Sequence, residues 1–224
     1  MNSSPIGGES DRTRVRREPH KARYERDDVY AIVDATWLCS IGVIVDGSPL
    51  VLPSIYVRDG DSLLLHGSIS ALLLRAMEAG ERVCVNVTLT DGLIVARSAF
   101  NSSVAYRSAV LFGSATRVEE PGEVERALDL LTDAVLPGRT EEVRRPTPSE
   151  LRRTGVVRFT IEEASAKVSE GPPNDEVEDL EGPTWAGTVP IERSYGSPVL
   201  APDLNDSVSP ELPASVSKLL DRNA

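Results

Sequence analysis

The chain has 224 residues, 40% of them hydrophobic and 26% charged, and carries a net charge of −11 at pH 7. That length can bury a sizeable core as one domain with appendages. No apolar run approaches the roughly 18 residues needed to span a bilayer, and the polar, Arg-rich start lacks the apolar segment of a secretory signal. An acidic chain is also a poor general nucleic-acid binder, because neutralising phosphates takes a basic face.

The charge is uneven. Residues 9–23 hold Arg12, Arg14, Arg16, Arg17, Lys21 and Arg23 against three acids, whereas residues 170–224 hold eleven Asp and Glu against Arg193, Lys218 and Arg222. Cys39 and Cys84 each sit in an apolar run, the pattern of buried free thiols in a cytoplasmic protein.

In chain order, residues 1–11 read as disordered. Val29, Ile32 and Val33 are spaced for one helical face within 27–36, with Asp27 or Asp28 placed to cap it. "WLCSIGVIV", "PLVLPSIYV" and "SLLLHGS" follow, separated by Asp46-Gly47 and Asp59-Gly60. Asp-Gly between apolar runs is a strong hairpin signal, so this stretch predicts an antiparallel meander. A helix over about 70–79, with Gly80 as its C-cap, leads into "RVCVNVTLT", and a third Asp-Gly at 91–92 leads into "LIVARSAF". "YRSAVLFGSATRVEE" reads as a strand with a bulge at Gly113, and 121–136 as an amphipathic helix begun near Pro121. A short helix in "TPSELRRTG" precedes a last strand, "VVRFTIEEASAKV".

Six or seven short antiparallel strands with two or three helices favour a small closed barrel, since closure removes exposed edges. We divide the chain into a disordered 1–11, a domain over 12–191 whose 170–191 part is an extended arm, and an acidic, Pro-rich, disordered tail over 192–224 with one short helix near "ASVSKLLDR".

Chemistry is sparse. His20 and His66 are the two histidines, no Gly-x-Ser-x-Gly elbow accompanies them, and no Gly-x-Gly-x-x-Gly or Walker-type loop occurs. The two His and two Cys lack metal-ligand spacing. Chemistry must therefore come from a bound molecule, or be absent. At His66-Gly67-Ser68 an apolar strand turns into a helix, and such a turn offers N–H donors and the positive end of a helix dipole to an anion.

The stretches "TRVRREPHKARY", "PLVLPSIYVRDGDSLLLHGS", "DGLIVARSAF", "YRSAVLFG", "EASAKVSEGPPND" and "PTWAGTVPI" occur in an order that resembles the pyridoxamine 5′-phosphate oxidase-like FMN-binding split barrels, nearest their flavin-nucleotide-binding, nitroimidazole-resistance-like branch. The resemblance implies a mainly β, homodimeric split barrel with FMN at the subunit interface, and the acidic composition and short apolar runs argue for no nucleic-acid or membrane partner. It places Leu52, Pro53, Ser54 and Ile55 along the isoalloxazine edge, and His66, Gly67 and Ser68 at the ribityl-phosphate end. Arg107 and Ser108 would approach from the neighbouring strand, and Lys167 and Trp185 from the partner chain. Where relatives carry a phosphate-gripping cation in the first helical turn, this chain has Leu72, and Arg75 is the nearest substitute.

The resulting expectation is an FMN-dependent oxidoreductase of unassigned substrate. Haem or a deazaflavin are alternative ligands. A non-catalytic flavin or haem sensor, and a structural dimer without cofactor, are the alternative functions. Structural roles compete at each position: His66 as a packing histidine, Ser68 as an N-cap, Arg97 and Arg107 as ion-pair partners, Lys167 as a solvated lysine and Trp185 as an anchor for the arm.

Overall fold

The structure is a computed structural model that describes residues 6, 10–79, 82–205 and 208–221. Gly80, expected as a helix C-cap, lies outside the described residues, as does most of the N-terminal stretch 1–9. No helix among the described residues is long and apolar enough to cross a membrane.

The chain enters as β1 (Ala22–Arg23) and α1 (Arg26–Val33), then runs as a meander of β2 (Leu38–Val45), β3 (Ser48–Asp59) and β4 (Ser62–Ser68). α2 (Leu72–Glu78) leads to the long hairpin β5 (Val83–Val95) and β6 (Ser103–Arg117). α3 (Pro121–Val135) and α4 (Pro148–Arg153) precede β7 (Thr154–Ser169), β8 (Gly187–Pro190) and α5 (Ala214–Asp221). The strands are antiparallel, in the order β7-β4-β3-β2-β5-β6, and β6 pairs back onto β7 to close a six-stranded barrel. β1 extends the far half of β7, and β8 adds to β5.

Two-residue periodicity fills the barrel. Val83, Val85, Val87 and Leu89 of β5, and Cys39, Ile41 and Val43 of β2, point inward and are buried. α1 adds Val29, Ile32 and Val33 to this core, and α2 adds Leu73, Leu74 and Met77. Each large apolar side chain buried in this way contributes about 1.5–3 kcal/mol. β4 departs from strict alternation because Leu63, Leu64 and Leu65 are all fully buried. Leu63 and Leu65 face the barrel interior. Leu64 faces outward into a second cluster with Ala127 of α3 and Val156 of β7. A strand covered on both faces reads as a continuous apolar run.

Local chemistry explains the boundaries. Asp46 and Gly47, both at positive φ, close the β2–β3 hairpin in two residues. The next hairpin turns at Gly60-Asp61, one residue later than Asp59-Gly60 suggests, with Gly60 at φ +62°. α1 is capped by Glu25 without a side-chain bond, so Asp27 and Asp28 serve its first turn rather than its cap. α3 starts at Pro121 because the Glu120 carboxylate accepts the Gly122 and Glu123 N–H groups. α4 carries a full capping box between Thr147 and Glu150.

Two expectations for the long hairpin resolve differently. Gly113 does sit at a bulge, where Glu162 is the extra residue and a Cβ would fall 1.9 Å from the Thr160 carbonyl oxygen. Asp91-Gly92 is no turn: β5 continues through it with Asp91 as a bulge. A glycine is needed there because β8 approaches so closely that a Cβ would meet the Val189 carbonyl oxygen at 2.7 Å. Cys39 is buried, whereas Cys84 is only half-buried because it points outward opposite Gly42; both are free thiols.

Within the tail 192–224, expected to be disordered, the described residues include α5, whose Ser215 is buried and donates from its N–H and hydroxyl to Glu142, at 2.9 and 2.5 Å.

Candidate functional site

The alternation that turns Leu64 outward also turns His66 outward, under α3. The imidazole lines three adjoining clefts of about 450, 520 and 290 Å³. Leu128, Leu131, Thr132, Val135 and Leu136, from α3 and its C-terminal end, form an apolar wall, with Ile55 of β3 opposite. Val143, Arg144, Arg145 and Thr154 close the 450 Å³ cleft, while Gly67, Ser68, Ser70 and Arg153 line the 520 Å³ one.

His66 Nδ1 is buried, with no hydrogen-bond partner among the described residues. Burial holds the imidazole below its ordinary pKa, so the ring is neutral at pH 7. A neutral, unpartnered imidazole beside an apolar cleft is the form that ligates a metal. The rim is cationic but internally balanced. Arg144 forks onto Glu150 at 2.7 and 2.9 Å, and Arg145 binds Asp129 at 2.7 Å. Arg144 and Thr147 hold the Glu150 carboxyl well below the usual range.

Next to this cleft the barrel is split. β3 pairs with β4 only over 56–59, so its 48–55 half has β2 on one side and no strand on the other among the described residues. Its outward face continues into exposed Val51, 65% accessible, with Leu38 and Ile44 of β2 beside it.

The sequence-derived residues separate into groups. Ile55, His66, Gly67 and Ser68 line the joined clefts, and Leu52, Pro53 and Ser54 lie on the open edge leading to them. The space beside Gly67 is taken by Leu74, whose Cδ1 would lie 3.1 Å from an added Cβ, so this glycine accommodates the core. Ser68 bonds to Ser70 across the turn and does not cap α2, whose N-cap is Ala71. Ser108 and Lys167 are register partners across β6 and β7, but Lys167 Nζ donates to the Arg17 carbonyl at 3.3 Å. Arg107 forks onto Asp91 with two 2.9 Å bonds and depresses that carboxyl. Arg97 is held by the buried Asp175. Trp185 is 64% exposed, its ring against Gly187 where the arm joins β5.

The strand-to-helix turn itself is occupied by the chain. The N–H groups of Ile69, Ser70 and Ala71 go to the Arg153 carbonyl, the Ser68 hydroxyl and the Ser68 carbonyl. Leu72 and Arg75 line a separate shallow cleft with Ile44 and Asp46. The α3 wall and the Arg144-Arg145 rim were not legible as site residues. They read as an ordinary amphipathic helix and its following loop, about 60 to 80 residues beyond His66.

A six-stranded antiparallel barrel opened along one strand is a split barrel. Residues 25–168 match the family model described as pyridoxamine 5′-phosphate oxidase, and the chain belongs to that family. It is similar to the flavocytochrome Anf3 from Azotobacter vinelandii, with 37% identity, a TM-score of 0.87, and 94% of this chain and 97% of that one covered. It is also similar to a FAD and haem binding protein from Mycobacterium smegmatis, with 39% identity, a TM-score of 0.84 and coverage of 89% and 97%. A Bacteroides thetaiotaomicron structure named for 5-nitroimidazole antibiotic resistance shares the fold at 20% identity and a TM-score of 0.56, covering 66% and 86%. No curated protein matches the chain.

Proposed function

We propose that this protein is a homodimeric, flavin-binding redox protein that also holds a haem, with His66 as the protein ligand to the iron. The observation that carries the proposal is His66, its Nδ1 buried and unpartnered, lining three joined clefts at the end of an open strand edge. Two relatives, at 37% and 39% identity, are a flavocytochrome and a FAD and haem binding protein, which supports pairing the two groups.

The chain fits both groups at different places. Haem iron is commonly held by one histidine, with pocket polarity and access deciding its reactivity. Burial keeps His66 neutral, the α3 residues give the cleft an apolar wall, and Arg144 and Arg145 stand at the rim, where carboxylates would lie. A flavin ring needs donors and acceptors along one edge, which Leu52–Ile55 offer from their unpaired side. The N–H groups of Ile69, Ser70 and Ala71, just before α2, are already bonded within the chain, which argues against a phosphate there. Lys167 and Ser108, side by side on the outer face, are the better anion contacts. When bound, the flavin exchanges hydride or electron pairs and the haem single electrons.

A second copy covers the exposed apolar stripe. Leu38, Ile44 and Val51, with Leu93, Val104 and Val189 further along the sheet, are each at least 39% exposed in the single chain. Exposed apolar side chains in this number on one sheet favour an interface. The test is reconstitution: apo-protein titrated with flavin and with hemin should saturate at one of each per protomer, with a Soret band typical of histidine ligation. Saturation by flavin with no Soret shift would remove the haem from the proposal.

A further inference from the structure

The described part of the C-terminal segment meets the C-terminal end of α3, the helix that faces His66. Arg193, Ser194 and Tyr195 line a cleft of about 480 Å³ with Trp37 and with Ala134 and Val135 at the C-terminal end of α3. α5 then docks where α3 gives way to the 139–146 connection. Ser215 is only 2% exposed, and its N–H and hydroxyl both donate to Glu142. Elsewhere in 192–221 the described residues are exposed or half-buried, so burial concentrates at this one latch.

Glu142 occupies a telling position. Thr140 and Val143, on either side of it, line the His66 cleft, as do Arg144 and Arg145 just beyond. Glu142 also takes an ion pair from Arg139, so the latch is bonded directly into the wall of that cleft. The wall has its own attachments, Thr140 to Asp133 and Arg145 to Asp129 of α3, and Arg144 to Glu150 of α4. α3 is itself fixed to the barrel by Ala127 against Leu64 and Val156 and by Arg126 to Asp59, so the 139–146 wall is the movable lid over His66.

We infer that the described C-terminal residues, ending in α5, act as a strap. By engaging Glu142 through Ser215, α5 holds the 139–146 lid against His66, and release of the latch opens the cleft. The strap sets how fast molecules reach His66 while the barrel stays closed by its own strands. This follows from the chain path and does not depend on which group occupies the cleft.

The two histidines supply the test. In the apo-protein, His20 is exposed and His66 lies under the lid, so His20 serves as an internal reference. Modification by diethyl pyrocarbonate, read per residue by mass spectrometry, should rise several-fold at His66 and stay constant at His20 in Ser215→Ala and in a chain ending at Ile191. Ser215→Thr, which keeps the hydroxyl, should behave as wild type. Hydrogen exchange should quicken at 136–146 and not at β5 or β7. An unchanged His66 rate in both variants would overturn the inference, as would a rise accompanied by equal loss of protection throughout the barrel.

Discussion

Leu64 and His66 stand two residues apart on the outward face of β4, and α3 covers both. One is sealed between Ala127 and Val156, while the other has a buried, unpartnered Nδ1 and lines three clefts. A strand that needs an apolar residue at one covered position and carries a histidine at the next marks the place where packing gives way to a binding cleft.

Leu64→Ala therefore acts on the fold and the cleft together. The loss should be about 2–5 kcal/mol, as for other fully buried leucines. Urea unfolding should show this as a lower midpoint, and loosened α3 amides should appear in hydrogen exchange.

The His66 pKa gives a pH signature. Folding depresses it, so the unfolded chain binds more protons just below the ordinary histidine range, and stability rises with pH there. The stabilisation is complete above about pH 6.5. It is lost as pH falls through the depressed folded value. His66→Gln should flatten the change in melting temperature between pH 7.5 and 5.5 relative to wild type. Identical slopes in the two proteins would assign the pH dependence to other groups.

The start of α2 should be indifferent to flavin phosphate. Leu72 and Arg75 share a shallow cleft apart from His66, so Leu72→Arg should leave the affinities for FMN and riboflavin unchanged. A tightening specific to FMN would restore the phosphate to that turn.

Much of the barrel was legible because its signals are local. Asp46-Gly47 and Gly60 demand positive φ within two-residue loops, and period two along Val83–Leu89 needs no knowledge of the partner strand. Asp91-Gly92 carried the same dipeptide for another reason, the close approach of β8 from about a hundred residues further on, which no local pattern reveals. The site divided along the same line. His66 stood out by its place at the end of an apolar strand, while its walls come from α3 and 143–146, whose residues look like those of any amphipathic helix and loop.

Gly92→Ala tests the non-local case. The added methyl meets the Val189 carbonyl, so β8 must shift away from β5, at a cost of about 1–3 kcal/mol. Hydrogen exchange should quicken at 187–191, with β2 and β3 unaffected.

Val51→Arg places a charge on the exposed outer face of β3, next to Gly42 of β2. If a second copy covers this face, sedimentation should show wild type as a dimer and the variant as a monomer of nearly unchanged melting temperature. A wild-type monomer at micromolar concentration would contradict the shared interface.

The most direct measurement is hemin titration of apo-protein carrying His66→Ala, with His20→Ala as the control and flavin binding followed in the same samples. The Soret band should be lost or strongly weakened in His66→Ala and retained in His20→Ala, while flavin still binds along Leu52–Ile55. Unchanged haem binding and spectrum in His66→Ala would contradict the assignment of His66 and of the cleft beneath α3.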